Sequence, residues 1–527
     1  MKRFFFLIIL LIVIQSLSAS DRYPRNKKID VSHYEFTVTI NDSASLIEGK
    51  ARIIVKFLDN CNSVEFDLKN TDNNGYGMKV TRVSLSNSAL QWNHVNDRLS
   101  INLPKSTKPD DNLEFLIEYS GIPSDGLIIS RNKFGNRTFF ADHWPDRAHN
   151  YLPCMDHPYD KASVDFIIKA PDKYSVVANG KLIEESDLKG QMSLTHWSEP
   201  APLATKVMAF GAAQFAVKLA GEVNNIPVWS WVYPENRLEG FSDYAVAVRP
   251  LEYYSGVIGP YPYEKLANVQ SKTIYGGLEN AGTIFYSERS VTGLGKSEGL
   301  IAHEIAHQWF GNCVTEADWH HVWLSEGFAT YLTALYFEAT QGKDRFEAEM
   351  KKARETVLKF SERNKKPVVD TTITKLMDLL NPNSYQKGAW VLHMLRNKIG
   401  NEPFWNGLKL YFERFHNSNA LTSDFISIME EVSGANLDSF FKQWLYTGGQ
   451  PELNISHGAI TNTGTAEITI VQKQESPFEF DLELLIRDKS GEEIEKISVK
   501  ERITKVIVPV KGNVEIIPDP NIKLLYK

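Results

Sequence analysis

The chain has 527 residues and 43% hydrophobic content, enough for roughly three domains with separate cores. Its formal charge of −7 leaves no basic surplus for nucleic acid or an anionic membrane surface. Three cysteines, Cys61, Cys154 and Cys313, are too few for a disulfide framework. They read as buried free thiols, and none sits in a setting that activates a nucleophile.

Residues 1–20 open with Lys2 and Arg3, run through apolar Phe4 to Ile14, and close on Ser16, Ser18, Ala19 and Ser20. That order is the pattern of a secretory signal, cleaved after Ser18 or Ser20. The apolar run is shorter than the ~20 residues of a membrane span, so a retained anchor is the lesser alternative. The expectation is an exported protein, periplasmic or secreted, with no stable membrane span after cleavage.

From 21 to about 215, short runs alternate apolar and polar residues, as in Tyr34 to Ile40, Ala51 to Phe57, Leu113 to Tyr119 and Val164 to Ile168. Turns rich in Gly, Asn, Asp and Pro separate them, which predicts an antiparallel β domain. The stretch Asp142 to Pro158, DHWPDRAHNYLPCMDHP, breaks the rhythm and reads as a functional loop or a structural corner. Helical periodicity takes over after about 216, beginning with Leu238 to Ile258. A turn-rich section follows and ends in Tyr275, Gly276, Gly277, Leu278, Glu279 and Asn280. Adjacent glycines let another backbone approach closely, and Glu279 offers a carboxylate beside them.

The most informative stretch runs from His303 to Glu326. On a helix His303 and His307 share one face a turn apart, as two ligands of one metal require, while Glu304 stands beside them, free to handle a proton. Glu326 follows nineteen positions later, roughly 28 Å away on an unbroken helix. The helix is therefore expected to stop, at Gly311 and Asn312, and a second helix, Trp323 to Phe337, to bring Glu326 back. Two His, one carboxylate and an open fourth position describe a catalytic zinc site with one Zn2+ per chain.

Further helical patterns cover Phe346 to Phe360, Tyr385 to Ile399, Phe404 to Phe415, Ser423 to Val432 and Leu437 to Tyr446. Gly448, Gly449 and Pro451 then punctuate the chain, and period-two alternation returns in Ala466 to Val471, Phe480 to Ile486 and Lys505 to Val510. A small β-sandwich accounts for this last part.

GGLEN at 276–280, HEIAHQWFGN at 303–312 and WLSEGFA at 323–329 together resemble the gluzincin aminopeptidases, the family of aminopeptidase N and leukotriene hydrolase. The likeness extends to HYEFTV from His33, LPCMDHP at 152–158 and YQKGAWVLHML at 385–395. With the leader pattern at 1–20, it implies a multidomain α+β chain: an N-terminal β domain at 21–215, a thermolysin-like, mostly helical catalytic domain at 216–450, and a β-sandwich at 451–527. The large C-terminal helical domain of many relatives is not expected.

The resemblance assigns His303, His307 and Glu326 to zinc, Glu304 to the general base, Tyr385 to stabilising the tetrahedral intermediate, and Glu279 to the substrate's free α-amino group. Gly276, Gly277, Leu278 and Asn280 accompany Glu279 in substrate binding. Two departures concern the first-residue pocket. Trp144 stands where the family usually has Gln or Glu, with Asp142 two residues earlier as a candidate replacement, and Leu278 stands for the commoner Met. The implied activity is removal of N-terminal residues from peptides with a free N-terminus. The alternatives are an epoxide or lipid hydrolase of the leukotriene branch and a non-catalytic peptide-binding relative. Oligomeric state is left open.

Overall fold

The structure, a computed structural model, describes residues 21–527. The expected leader lies outside them. Among the described residues no helix is long and apolar enough to cross a membrane.

Residues 29–203 build an eight-stranded sheet in the order Lys181–Leu188, Met192–Leu203, Ala162–Pro171, Ile29–Thr39, Ile47–Phe57, Asn112–Ile122, Gly77–Leu85, Ser88–Ala89. The alternation read from the sequence turns one face inward: Tyr34, Phe36 and Val38 of Ile29–Thr39 are buried while their neighbours are not. A register shift between Val31 and His33 resets the phase, so that Val31 and Tyr34 both face the core. The domain is not wholly antiparallel, because Ile29–Thr39 and Ala162–Pro171 run side by side in parallel. Beside this sheet lie a three-stranded one and a four-stranded one, Ser175–Ala178, Phe210–Ala213, Arg137–Ala141, Leu127–Arg131. Arg137–Ala141 delivers the chain into Asp142 and Trp144.

The next part does not open on a helix. Ala216–Val223 and Ile226–Val232 form a hairpin at the edge of a five-stranded sheet that continues through Leu266–Ser271, Thr283–Ser287 and Gly277–Leu278. Nine α-helices follow among the described residues: α1 (Arg237–Tyr244), α2 (Val248–Val257), α3 (Glu298–Ala306), α4 (Trp323–Gln341), α5 (Lys343–Ser361), α6 (Gly388–Ile399), α7 (Asn401–Arg414), α8 (Thr422–Ser433) and α9 (Asp438–Leu445). α4 is apolar nearly all round, with Trp323, Phe328, Tyr331, Leu335 and Tyr336 all buried, as befits a helix enclosed by others.

Beyond α9 lie two three-stranded antiparallel sheets, on which Ile468, Ile470, Leu482, Leu484, Val499 and Val508 are buried. They are tied to the helical part by Arg354 of α5, which donates to Asp519 at 2.5 Å and to the Leu524 carbonyl at 2.8 Å. Cys61, Cys154 and Cys313 are buried and unpaired.

Candidate active site

α3 ends earlier than Gly311. Its last residue is Ala306, and His307 keeps helical angles (φ −57°, ψ −25°) at the cap. The chain then turns through Gly311, whose φ of +122° suits glycine. His303 and His307 therefore stay one turn apart while the backbone is already bending toward α4. The third ligand candidate, Glu326, lies in the first turn of α4.

These elements bring three donor atoms together. The Nε2 atoms of His303 and His307 are 3.1 Å apart, and Glu326 Oε2 is 3.3 Å from each. A tetrahedral ion with bonds of ~2.0–2.1 Å has ligand–ligand edges of about 3.3 Å, so the triangle has the size that such an ion requires. His307 Nδ1 donates to the Phe310 carbonyl at 3.3 Å and lies 3.0 Å from Ser325 Oγ, which leaves Nε2 as the lone-pair atom facing the triad. The fit rests on geometry and on a nitrogen and carboxylate donor set.

The triad lines a cavity of about 240 Å³ shared with Glu304, Glu279, Gly276, Gly277, Leu278, Trp144 and Tyr385. Burial pushes the Glu304 carboxyl well above the usual range; His307 pulls it down, and Glu279 and Glu326 push it further up. Glu279 is raised in the same way, by burial first, and its Oε1 has no hydrogen-bond partner among the described residues. Burial and the nearby carboxylates of Glu326 and Glu279 raise the Tyr385 hydroxyl, so it keeps its proton. The Tyr385 ring stacks on that of His303 at 6.0 Å.

The Gly-rich strand is held by the HEIAHQWFGN segment itself. Gln308 and Asn312 both donate to the Glu279 carbonyl, at 3.0 and 2.6 Å. Gly277 has a use the sequence did not indicate: a Cβ there would overlap the Glu304 carboxylate, whereas one at Gly276 would make an ordinary contact with Leu300.

Two expected substrate contacts are absent from the cavity lining. Asp142 is fully buried and spends its carboxylate on Arg147, on the Thr273 hydroxyl at 3.0 Å and on the Ile274 amide at 3.3 Å. Asn280 is buried away from the lining. Three lining residues were not singled out from sequence: Tyr275, Leu300 and Leu380. Tyr275 precedes the Gly-Gly pair and was within reach of that reading, but Leu380 comes from a turn with no motif.

Against known families, the peptidase M1 N-terminal domain matches residues 30–207 and the peptidase family M1 domain matches residues 243–444. Human glutamyl aminopeptidase is 28% identical over 337 residues, 60% of this chain and 35% of that protein. Rice aminopeptidase M1-C is 28% identical over 58% of this chain and 37% of its own length. Probable aminopeptidase 2 of Sulfurisphaera tokodaii is 25% identical over 81% of this chain and 55% of its own. The chain thus matches little more than a third of the first two relatives. An M1 zinc metallopeptidase from Deinococcus radiodurans shares the fold, with a TM-score of 0.69 and 23% identity over 80% of this chain and 95% of that one. The chain belongs to peptidase family M1.

Proposed function

We propose that the chain is a zinc-dependent aminopeptidase that hydrolyses the N-terminal bond of peptides. One observation carries this reading: Glu279, whose buried Oε1 has no hydrogen-bond partner among the described residues, lines the same cavity as the three metal donors. A cationic chain end satisfies that oxygen and registers the first peptide bond beside the triad. Bound by His303, His307 and Glu326, zinc supplies a Lewis acid that polarises a carbonyl and lowers the pKa of water.

The remaining work falls to side chains. Glu304 accepts the proton of the attacking water and returns it to the leaving nitrogen. Tyr385 donates a hydrogen bond to the oxygen on which charge develops, a contribution of roughly 3 kcal/mol in comparable sites. Glu279 binds the α-ammonium and so confines cleavage to the chain end. We further read 451–527 as a β-sandwich domain, and the chain as exported after removal of its leader, on the charge and apolar order of residues 1–20.

The test is a panel of aminoacyl arylamides set against N-acetylated peptides, with wild type and Glu279→Ala. Wild type is expected to cleave only free N-termini, and Glu279→Ala to lose at least tenfold in kcat/KM on them. Cleavage of blocked peptides as fast as free ones would refute the reading.

A further inference from the structure

One wall of the cavity has no part in the chemistry above. Trp144, Tyr275, Leu278 and Leu380 form it, and all four belong to an apolar cluster with Trp319 and Met377. Trp144 is 2% exposed and lies edge-on to Tyr275 and Trp319, with ring centroids 6.3 and 5.7 Å away. Its carbonyl accepts from Arg147 Nε at 2.8 Å and from the Tyr275 hydroxyl at 3.1 Å. The Arg147 guanidinium sits 5.8 Å from the centre of the Tyr275 ring and is anchored on Asp142. An indole packed against two rings and held through its backbone cannot swing aside, so it bounds the cavity as a fixed surface.

Size and charge then restrict what enters. The cavity, about 240 Å³, is smaller than the ~300–1,000 Å³ of ordinary small-molecule sites, and the groups around the triad share it. Among the described residues no Lys or Arg lines it. An acidic side chain would be buried without a partner near Glu279 and Glu304, and a basic one would meet an apolar wall backed by Arg147.

We propose, resting on the aminopeptidase reading, that Trp144 sets the specificity of this site and that Asp142 and Arg147 position it. The substrates are peptides whose first residue is small, neutral and apolar, of alanine to valine size. Large aromatic and charged first residues are excluded. Asp142 thus serves the pocket by holding its wall.

Two measurements test this on zinc-loaded protein: kcat/KM for alanyl, phenylalanyl, glutamyl and lysyl arylamides, and calorimetric binding of alanine and phenylalanine hydroxamates. In wild type the alanyl substrate should exceed each of the others at least tenfold, and alanine hydroxamate should bind more tightly. Trp144→Ala should raise the phenylalanyl-to-alanyl ratio at least tenfold; Trp144→Leu, which keeps the site filled, should raise it less and serves if the first variant does not fold. Arg147→Met should raise the same ratio, and Arg147→Lys should restore it in part. Equal turnover of alanyl and glutamyl or phenylalanyl substrates, or ratios unmoved by either Trp144 variant, would overturn the proposal while leaving the peptidase reading intact. If no arylamide is cleaved but the hydroxamates rank and shift as stated, the pocket assignment stands and the peptidase reading falls.

Discussion

Gly276 and Gly277 are neighbours in sequence and unequal in space. A side chain at Gly277 collides with Glu304, while one at Gly276 meets only Leu300. Gly277→Ala should therefore displace Glu304, the proposed base, and lower kcat about 10²-fold or more with zinc content unchanged, whereas Gly276→Ala should stay within a few-fold. Comparable losses in both would contradict this geometry. Away from the cavity, His149 and Asp156 lie 2.7 Å apart. Burial pushes His149 down, but the hydrogen bond and charge of Asp156 outweigh it and raise it to about 9. A folded value above the ordinary ~6.5 means the pair's contribution is complete below that pH and is lost as pH rises through about 9. Urea midpoints measured from pH 6 to 9.5 should fall more steeply in wild type than in His149→Gln, by an amount equivalent to about 1–3 kcal/mol; parallel curves would count against it. The clustering of His303, His307 and Glu326 was legible because helical spacing and one returning carboxylate suffice to bring them together. Asp142 was not, because its role depends on Thr273 and Ile274, which lie far along the chain.

Among elements, the crossing that matters most is α4 against the start of α6. A Cβ on Gly327 would lie 3.0 Å from the Gly388 backbone, and a Cβ on Gly388 equally close to Gly327. Gly327 follows Glu326, the proposed metal ligand, and Gly388 comes three residues after Tyr385, so this contact fixes the distance between the two. Gly327→Ala is expected to cost about 1–3 kcal/mol in stability and to lower kcat by moving Tyr385, with metal retained. A variant of unchanged midpoint and kcat would show that the contact yields freely. The helices were readable from their 3.6-residue period, and α4 and α5 lie where it placed them. The hairpin Ala216–Val223 and Ile226–Val232 was missed, although Asn224 and Asn225, both at positive φ (51° and 66°), carry the two-residue turn that announces one. Parallel pairing of Ile29–Thr39 with Ala162–Pro171 has no local signal, since periodicity gives a strand its faces and not its neighbours.

At the scale of the molecule, the N-terminal β domain holds the segment joining α3 to α4. Lys206 Nζ meets Glu316 at 2.5 Å, both side chains buried, and Lys161 Nζ caps the Asn312 and Cys313 carbonyls at 3.0 and 2.8 Å. Removing one side of a buried ion pair strands the other, so Lys206→Met should cost about 3–5 kcal/mol. The β domain and the catalytic helices should unfold in one transition, in wild type and variant alike. Two separated calorimetric transitions, with the first alone sensitive to Lys206→Met, would mean that the domains are held independently. The order of elements, strands then mostly helices then strands, was legible because alternation of period two gives way to helical period and then returns. The contacts that make the first domain part of the site were not, because Lys206 and Glu316 are ordinary surface residue types until the fold buries them together.

The most direct test is metal content and turnover measured side by side in wild type and Glu304→Gln. The triad geometry and the position of Glu304 predict one zinc per chain in both proteins, with kcat on a free aminoacyl arylamide reduced at least 10³-fold in the variant. Turnover by Glu304→Gln near the wild-type rate, or zinc absent from the wild-type protein while it remains active, would contradict the account.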